Sequence, residues 1–228
     1  MPLIVYQHPL SSFCHKVLIG LYENDTPFER RVVDLSDERG RAEFHALWPL
    51  GKMPVLRDEG LGLTLPETSI ILEHLDRHYP GPVRLVPEDP AQALRVRLWD
   101  RCFDLYVHLP MQKIVGDRLR PEDRRDPHGV AEATTNLRSA YDLVERQLGA
   151  NRWITGAEFT LADCAAAPAL FYAATVVPFG DRPKLTAYYD RLLDRPSYAR
   201  VLQEARPFFQ FFPFKDSLPR RFRPDSAA

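Results

Sequence analysis

The spacing of apolar positions changes character near residue 80. Before it, apolar runs are short and separated by polar turns; beyond it, they recur at three- and four-residue intervals over long stretches. Leu3-Ile4-Val5-Tyr6 has the length of a buried strand, and the pattern over residues 13–24 is that of a helix. Further strands are predicted at residues 28–33, 55–57 and 63–65, and further helices at 37–47 and 67–79. The order β-α-β-α-β-β-α makes a small mixed sheet with helices on its faces, an α/β layer arrangement.

Tyr79-Pro80-Gly81-Pro82 opens a stretch, ending at Pro90, in which no periodicity survives. A linker is therefore placed at 81–90, between a first domain at 1–80 and a second at 91–228 that reads as helix and loop alone. Leu94, Leu98 and Cys102, with Trp99, Phe103 and Tyr106 on the adjacent stripe, are expected to face a core, as are Leu137, Ala140, Val144 and Leu148. Thr160 and Asp163 stand three apart before an apolar run at 164–171, a capping-box spacing with Asp in place of Glu or Gln. Its expected role is in folding. Leu185, Tyr188 and Leu192 begin a further helix that must end before Pro196.

With 228 residues and 45% hydrophobic content, the chain can fill two cores of ordinary size. Thirty basic and 31 acidic residues leave a net charge of −1, so no field of one sign points to nucleic acid or to an anionic membrane surface. No apolar stretch approaches the ~20 residues that span a bilayer, and the N-terminus has no basic segment followed by a long apolar run. Cys14, Cys102 and Cys164 are odd in number, far apart and without metal-ligand spacing. They predict no disulfide framework, no metal and a reducing, cytoplasmic location.

Three short segments carry candidate chemistry. Ser11-Ser12-Phe13-Cys14 ends the first strand and opens the first helix, where unpaired N–H groups and the helix dipole favour an anion such as a thiolate. An ordinary thiol is roughly 3% ionised at pH 7, and lowering its pKa by about two units takes about 2.7 kcal/mol. A helix start plus one charge-assisted hydrogen bond can supply that. Gly51-Lys52-Met53-Pro54 is a turn that feeds a strand through an X-Pro bond. Leu65-Pro66-Glu67-Thr68-Ser69 sets hydroxyls and a carboxylate at a helix start, the groups that an α-amino acid head requires. Each segment alone also has a purely structural reading, with Ser11 and Thr68 or Ser69 as helix caps and Pro54 as the trans start of an edge strand.

In this order and spacing, the segments resemble the glutathione S-transferase family. Ser11-Ser12-Phe13-Cys14-His15-Lys16-Val17 is similar to its serine-type catalytic segment, Gly51-Lys52-Met53-Pro54 to its cis-proline turn, and Glu67-Thr68 to its Glu-Ser pair. Thr160 with Asp163 is similar to the capping motif of its helical second domain. The resemblance spans nearly the whole chain, with some likeness to the zeta- and theta-like branches. It implies a thioredoxin-like α/β N-terminal domain followed by an all-helical bundle, and glutathione as co-substrate without a metal. It further implies that Ser11 donates a hydrogen bond to the glutathione sulfur and that Met53, beside a cis Pro54, holds the cysteinyl backbone. Glu67 and Thr68 would hold the γ-glutamyl end, and Lys52 would lie near the glycyl carboxylate. A hydrophobic electrophile would enter the cleft between the domains, against Tyr106, Met111 and the aromatic tail Phe208-Phe209-Gln210-Phe211-Phe212. The implied assembly is a cytoplasmic homodimer, joining the first domain of one subunit to the second domain of the other.

Several positions depart from the family pattern. Trp48-Pro49 stands where members commonly have Asn-Pro, and Lys16 where they commonly have Arg. Phe13 in place of a cysteine speaks against a zeta-like isomerase. Ser11 in place of a cysteine speaks against the omega- and beta-like members that form mixed disulfides with glutathione. Tyr6, near the place where other branches use a tyrosine hydroxyl, and Cys14 both compete with Ser11. The same fold also serves glutathione-dependent isomerases, peroxidases and reductases, and binding or regulatory modules without turnover.

Overall fold

The computed structural model describes residues 3–34 and 36–223. Strands β1 (Leu3–Gln7), β2 (Phe28–Val32), β3 (Val55–Asp58) and β4 (Leu63–Leu65) form one sheet in the order β2-β1-β3-β4. β1 runs parallel to β2, with Leu3 opposite Phe28, and antiparallel to β3, with Val5 opposite Leu56. A parallel pair needs a crossover, and α1 (Ser12–Glu23) supplies it. Charged Glu29, Arg30 and Arg31 on β2 suit its place at the sheet edge.

The helices α2 (Glu38–Leu47) and α3 (Thr68–His78) complete the N-terminal domain. Ser11 and Asp37 cap α1 and α2 by accepting from the amides of Cys14 and Gly40, so these helices begin one residue away from the expected positions. One face of the sheet joins α1 and α3 in a core continuous with the helical domain. A smaller cluster of Val33, Phe44 and Val55, with Tyr6, Leu47, Trp48 and Met53 against it, fixes α2 on the other face.

In the helical domain, α4 (Pro90–Cys102) and α5 (Leu109–Arg118) form one rod through a π-helical segment at Phe103–His108. It is followed by α6 (Pro127–Leu148), α7 (Leu161–Val176), α8 (Pro183–Leu193) and α9 (Pro196–Ala205). α7 is buried along nearly all its length and packs on α1, α4, α5 and α8. It opens with the expected capping box, in which Asp163 accepts from the amides of Thr160 at 2.9 Å and Ile154 at 3.0 Å and from the Tyr188 hydroxyl at 2.6 Å. Among the described residues, no helix is long and apolar enough to cross a membrane.

One expected core stripe faces outward. Leu137, Ala140, Val144 and Leu148 are buried, as are Trp99 and Phe103, but Leu94 is 69%, Leu98 57% and Tyr106 56% exposed. The inward face of α4 carries Ala93, Val96, Trp99 and Asp100 instead. Its phase follows from charge: Asp100, and Asp104 one turn on, both reach the buried Lys16 of α1.

Candidate active site

The loop from β1 into α1 is held at four points. Ser11 N–H donates to the His8 carbonyl at 2.9 Å and Leu10 N–H to His8 Nδ1 at 3.2 Å. His15 Nε2–H donates to the Pro9 carbonyl at 2.6 Å, and Cys14 N–H to Ser11 Oγ at 3.3 Å. Burial lowers the His15 pKa to about 4, so its imidazole is neutral at physiological pH and its proton sits on Nε2. Ser11 Oγ accepts from the helix through a lone pair, which leaves its own O–H proton to donate elsewhere. Capping and donation are thus compatible in one side chain.

The two competing nucleophile positions are placed differently. Burial pushes the Cys14 thiol up to about 12, so it is un-ionised at neutral pH. Tyr6 belongs to the α2 face of the sheet, where its ring lies against Phe44 and its hydroxyl accepts from Arg31 at 3.2 Å.

The Met53–Pro54 peptide is cis. The β1–β3 ladder ends with Tyr6 opposite Val55, so the backbone N–H and C=O of Met53 lie beyond it. Gly51 has φ +61°, and a Cβ there would strike the His45 ring, so the turn requires glycine. Glu67 caps α3 at φ 68°, a left-handed conformation that costs a residue with a Cβ on the order of 1–3 kcal/mol and that clusters at ligand sites.

These segments converge. Ser11, Lys52, Met53, Pro54, Glu67 and Thr68 line a single cavity of about 770 Å³. Phe13, Leu105, Leu109 and Gln112 add a more apolar lining from α1 and the α4–α5 rod, and His8, Asp34, Ser36 and Arg101 add polar groups. The side chain and amide of Ser36 hold the Asp34 carboxyl below the usual range. Nothing in the sequence pattern points to His8, Asp34 or Arg101. Leu105 and Leu109, four apart on one helical face, are the one readable signal among the rest.

Tyr106 and Met111 do not line this cavity. Tyr106 faces a separate depression with Pro110 and Leu143, and Met111 is buried in the core. Residues 105, 109 and 112 share one helical face, and 106 and 111 fall off it. Phe209 and Phe212 pack on Phe171 and Tyr172, and Phe208 meets His8 edge-on at 6.1 Å.

Behind the cavity lies a buried charge cluster. Ser69, the alternative to Thr68, turns into it, donating to Asp100 at 2.6 Å and accepting from Lys16 Nζ at 3.1 Å. Lys16 is fully buried, 2.6 Å from Asp100 and 2.8 Å from Asp104. Burial pushes the Asp104 carboxyl up, but His108 and the Lys16 charge outweigh it and hold the group below its usual range. The His108 ring in turn stacks on Phe13 at 4.3 Å. Among the described residues, no group of three or more His, Cys, Asp or Glu could hold a metal ion.

The chain is similar to known proteins over most of its length. The glutathione S-transferase N-terminal domain matches residues 5–83, and the glutathione S-transferase C-terminal domain matches residues 127–191. Glutathione S-transferase F13 of Arabidopsis thaliana is 28% identical over 210 residues, covering 88% of this chain and 95% of the relative. Glutathione S-transferase-like protein LUC7 of a Fusarium species is 30% identical over 190 residues, covering 81% of this chain and 83% of the relative. The solved structure of a glutathione S-transferase from Methylobacterium radiotolerans, in complex with glutathione sulfonate, superposes with a TM-score of 0.75 at 28% identity, covering 88% of this chain and 94% of that one. The chain therefore belongs to the glutathione S-transferase family, as a transferase with a thioredoxin-like N-terminal domain and an all-helical C-terminal domain.

Proposed function

We propose that the chain conjugates the glutathione thiolate to a hydrophobic electrophile, with the sulfur held at Ser11. The observation that carries this reading is the convergence of Ser11, Met53, Glu67 and Thr68, from three separate segments, on one cavity. The Ser11 hydroxyl donates to the sulfur at the start of α1, where the helix dipole adds to the preference for the anion. The Met53 backbone pairs with the cysteinyl residue in the manner of a strand edge. Thr68, at the start of α3, takes the γ-glutamyl carboxylate, and Glu67 takes the ammonium. Lys52 stands on the glycyl side. Binding of glutathione sulfonate by the Methylobacterium relative supports the ligand class.

Phe13, Leu105 and Leu109 supply the apolar surface for the electrophile, in place of Tyr106 and Met111. The thiolate attacks a soft carbon, an S–C bond forms, and the leaving group departs with the bonding pair; the thiol proton is already lost to solvent. Serine at position 11 and an un-ionised Cys14 favour conjugation over thiol–disulfide exchange.

The division of labour follows the proposed domains: residues 1–80 hold glutathione, 81–90 link, and 91–228 complete the electrophile side. Exposed Leu94, Leu98 and Tyr106 on the α4–α5 rod support a homodimer, and three unpaired cysteines support a cytoplasmic location. Steady-state kinetics with glutathione and an activated aryl halide test the proposal. Ser11→Ala lowers kcat/KM tenfold or more, about 1.4 kcal/mol of transition-state stabilisation; a smaller loss would remove Ser11 from the role.

A further inference from the structure

His8 lines the cavity but takes no part in the proposed hold on glutathione. It directly follows β1 and is locked to the sulfur site: its carbonyl accepts from Ser11 N–H at 2.9 Å, and its Nδ1 accepts from Leu10 N–H at 3.2 Å. We propose that His8 is a catalytic residue for the second substrate, its Nε2–H donating to an electrophile oxygen that gains negative charge as the sulfur attacks. The substrate class this favours, resting on the conjugation proposed above and extending it from displacement to addition, is the α,β-unsaturated carbonyls.

The loop dictates which nitrogen carries the proton. An amide N–H can only donate, so Nδ1 offers its lone pair to Leu10, and in the neutral ring the proton then resides on Nε2. Burial lowers the His8 pKa and outweighs the Asp34 carboxylate, which favours the charged form, so the ring is neutral at physiological pH. Among the described residues, no acceptor takes the Nε2 proton. With Nδ1 turned to the loop and the ring in the lining, Nε2 is the polar atom that His8 offers to a ligand. This tautomer has no free lone pair with which to take the thiol proton. His8 is thus a donor and not a base.

The surroundings suit that task. Phe208 meets the ring edge-on at 6.1 Å, and Leu10, Phe13, Leu105 and Leu109 make much of the lining apolar, which strengthens a fixed donor's bond to a forming oxyanion. Arg101 is already engaged, donating to Asp104 at 3.1 Å and to Ser69 at 3.2 Å. In the addition, sulfur bonds to the β-carbon, the carbon–carbon π pair shifts through the carbonyl to oxygen, and the enolate accepts from Nε2–H. Solvent then protonates the α-carbon, so nothing leaves and His8 keeps its proton. A neutral imidazole does this without forming an ion pair that would quench the thiolate.

Steady-state kinetics with glutathione and benzylideneacetone, a conjugated enone, test the role, with benzyl chloride for comparison because its charge departs with the halide. His8→Asn keeps an oxygen for Leu10 N–H, as in an Asx turn, but lacks the Nε2–H; His8→Gln keeps a terminal donor but loses the acceptor. On the enone, kcat/KM of His8→Asn falls tenfold or more below both the parent and His8→Gln. On benzyl chloride the two variants differ less than threefold. Equal enone turnover in the two variants, the reverse order, or the same tenfold gap on benzyl chloride would each overturn the inference. So would a parent that conjugates the activated aryl halide but not the enone. A parent inert to all three electrophiles would instead overturn the conjugation reading beneath it.

Discussion

Lys16 on α1 holds Asp104 of the α4–α5 rod at 2.8 Å, in a buried contact that joins the two domains beside the cavity lined by Ser11, Met53 and Glu67. Asp100 shares the same ammonium at 2.6 Å. Removing the cation leaves Asp100 with the Ser69 hydroxyl at 2.6 Å and Asp104 with the half-exposed Arg101 at 3.1 Å, and breaking a buried pair in this way costs about 3–5 kcal/mol. Lys16→Met therefore lowers the melting temperature by on the order of 10 °C. Adding Asp100→Asn recovers part of the loss, because the two sites are coupled. Thermal unfolding of the single and double variants checks this; a single variant melting within two or three degrees of the parent would contradict it.

His15 predicts a pH dependence. Its folded pKa of about 4 lies below the unfolded value of about 6.5, so the unfolded chain takes up a proton first as pH falls. The associated stability is complete above pH ~6.5 and is lost as pH drops towards 4, by up to about 3 kcal/mol. Burial lowers the pKa of His8 and His108 as well, with the same sign. His15→Gln, which keeps a donor for the Pro9 carbonyl, reduces the slope without abolishing it. Urea midpoints measured between pH 7 and pH 4.5 give the comparison, and identical slopes would exclude His15 as a source.

The capping box of α7 separates two kinds of loss. Thr160→Ala removes a cap and costs about 1 kcal/mol. Asp163→Ala strips partners from two buried amides and from the Tyr188 hydroxyl, at about 1–3 kcal/mol for each group left unsatisfied. Chemical denaturation should rank Asp163→Ala well below Thr160→Ala. Equal stabilities would mean that water replaces the carboxylate.

The parts of the site readable in the sequence are those announced by local chemistry. A hydroxyl before an apolar run, a Gly-Lys-Met-Pro turn and a Glu-Thr pair at a helix start are signals within four residues, and all three segments line the cavity. The α4–α5 wall is different. Leu94, Leu98 and Cys102 have the same periodicity as Ala93, Val96 and Asp100, and the choice between the two faces is made by Lys16, which is remote in the chain. The π-helical segment at Phe103–His108 then shifts the phase again, so Leu105 and Leu109 reach the cavity where Tyr106 and Met111 are expected. The four-residue spacing of Leu105 and Leu109 is visible in the sequence, but no short-range pattern says that their face, rather than that of Tyr106, meets the cavity.

Cys14 is a packing residue on this account. Its thiol is fully buried and un-ionised, so Cys14→Ala leaves kcat/KM within about twofold and costs stability on the scale of a small core deletion, about 1 kcal/mol. Thiol-modifying reagents applied to the folded protein should likewise leave turnover intact. Loss of activity in Cys14→Ala with unchanged stability would return this residue to the chemistry.

The central claim concerns the ionisation of the bound thiol. Titrating the ultraviolet absorbance of the thiolate in the glutathione complex gives its pKa directly. The account predicts a value about two units below that of free glutathione in the parent protein and a rise of at least one unit in Ser11→Ala, with glutathione still bound. A bound thiol that titrates at the same pH in both proteins would contradict it.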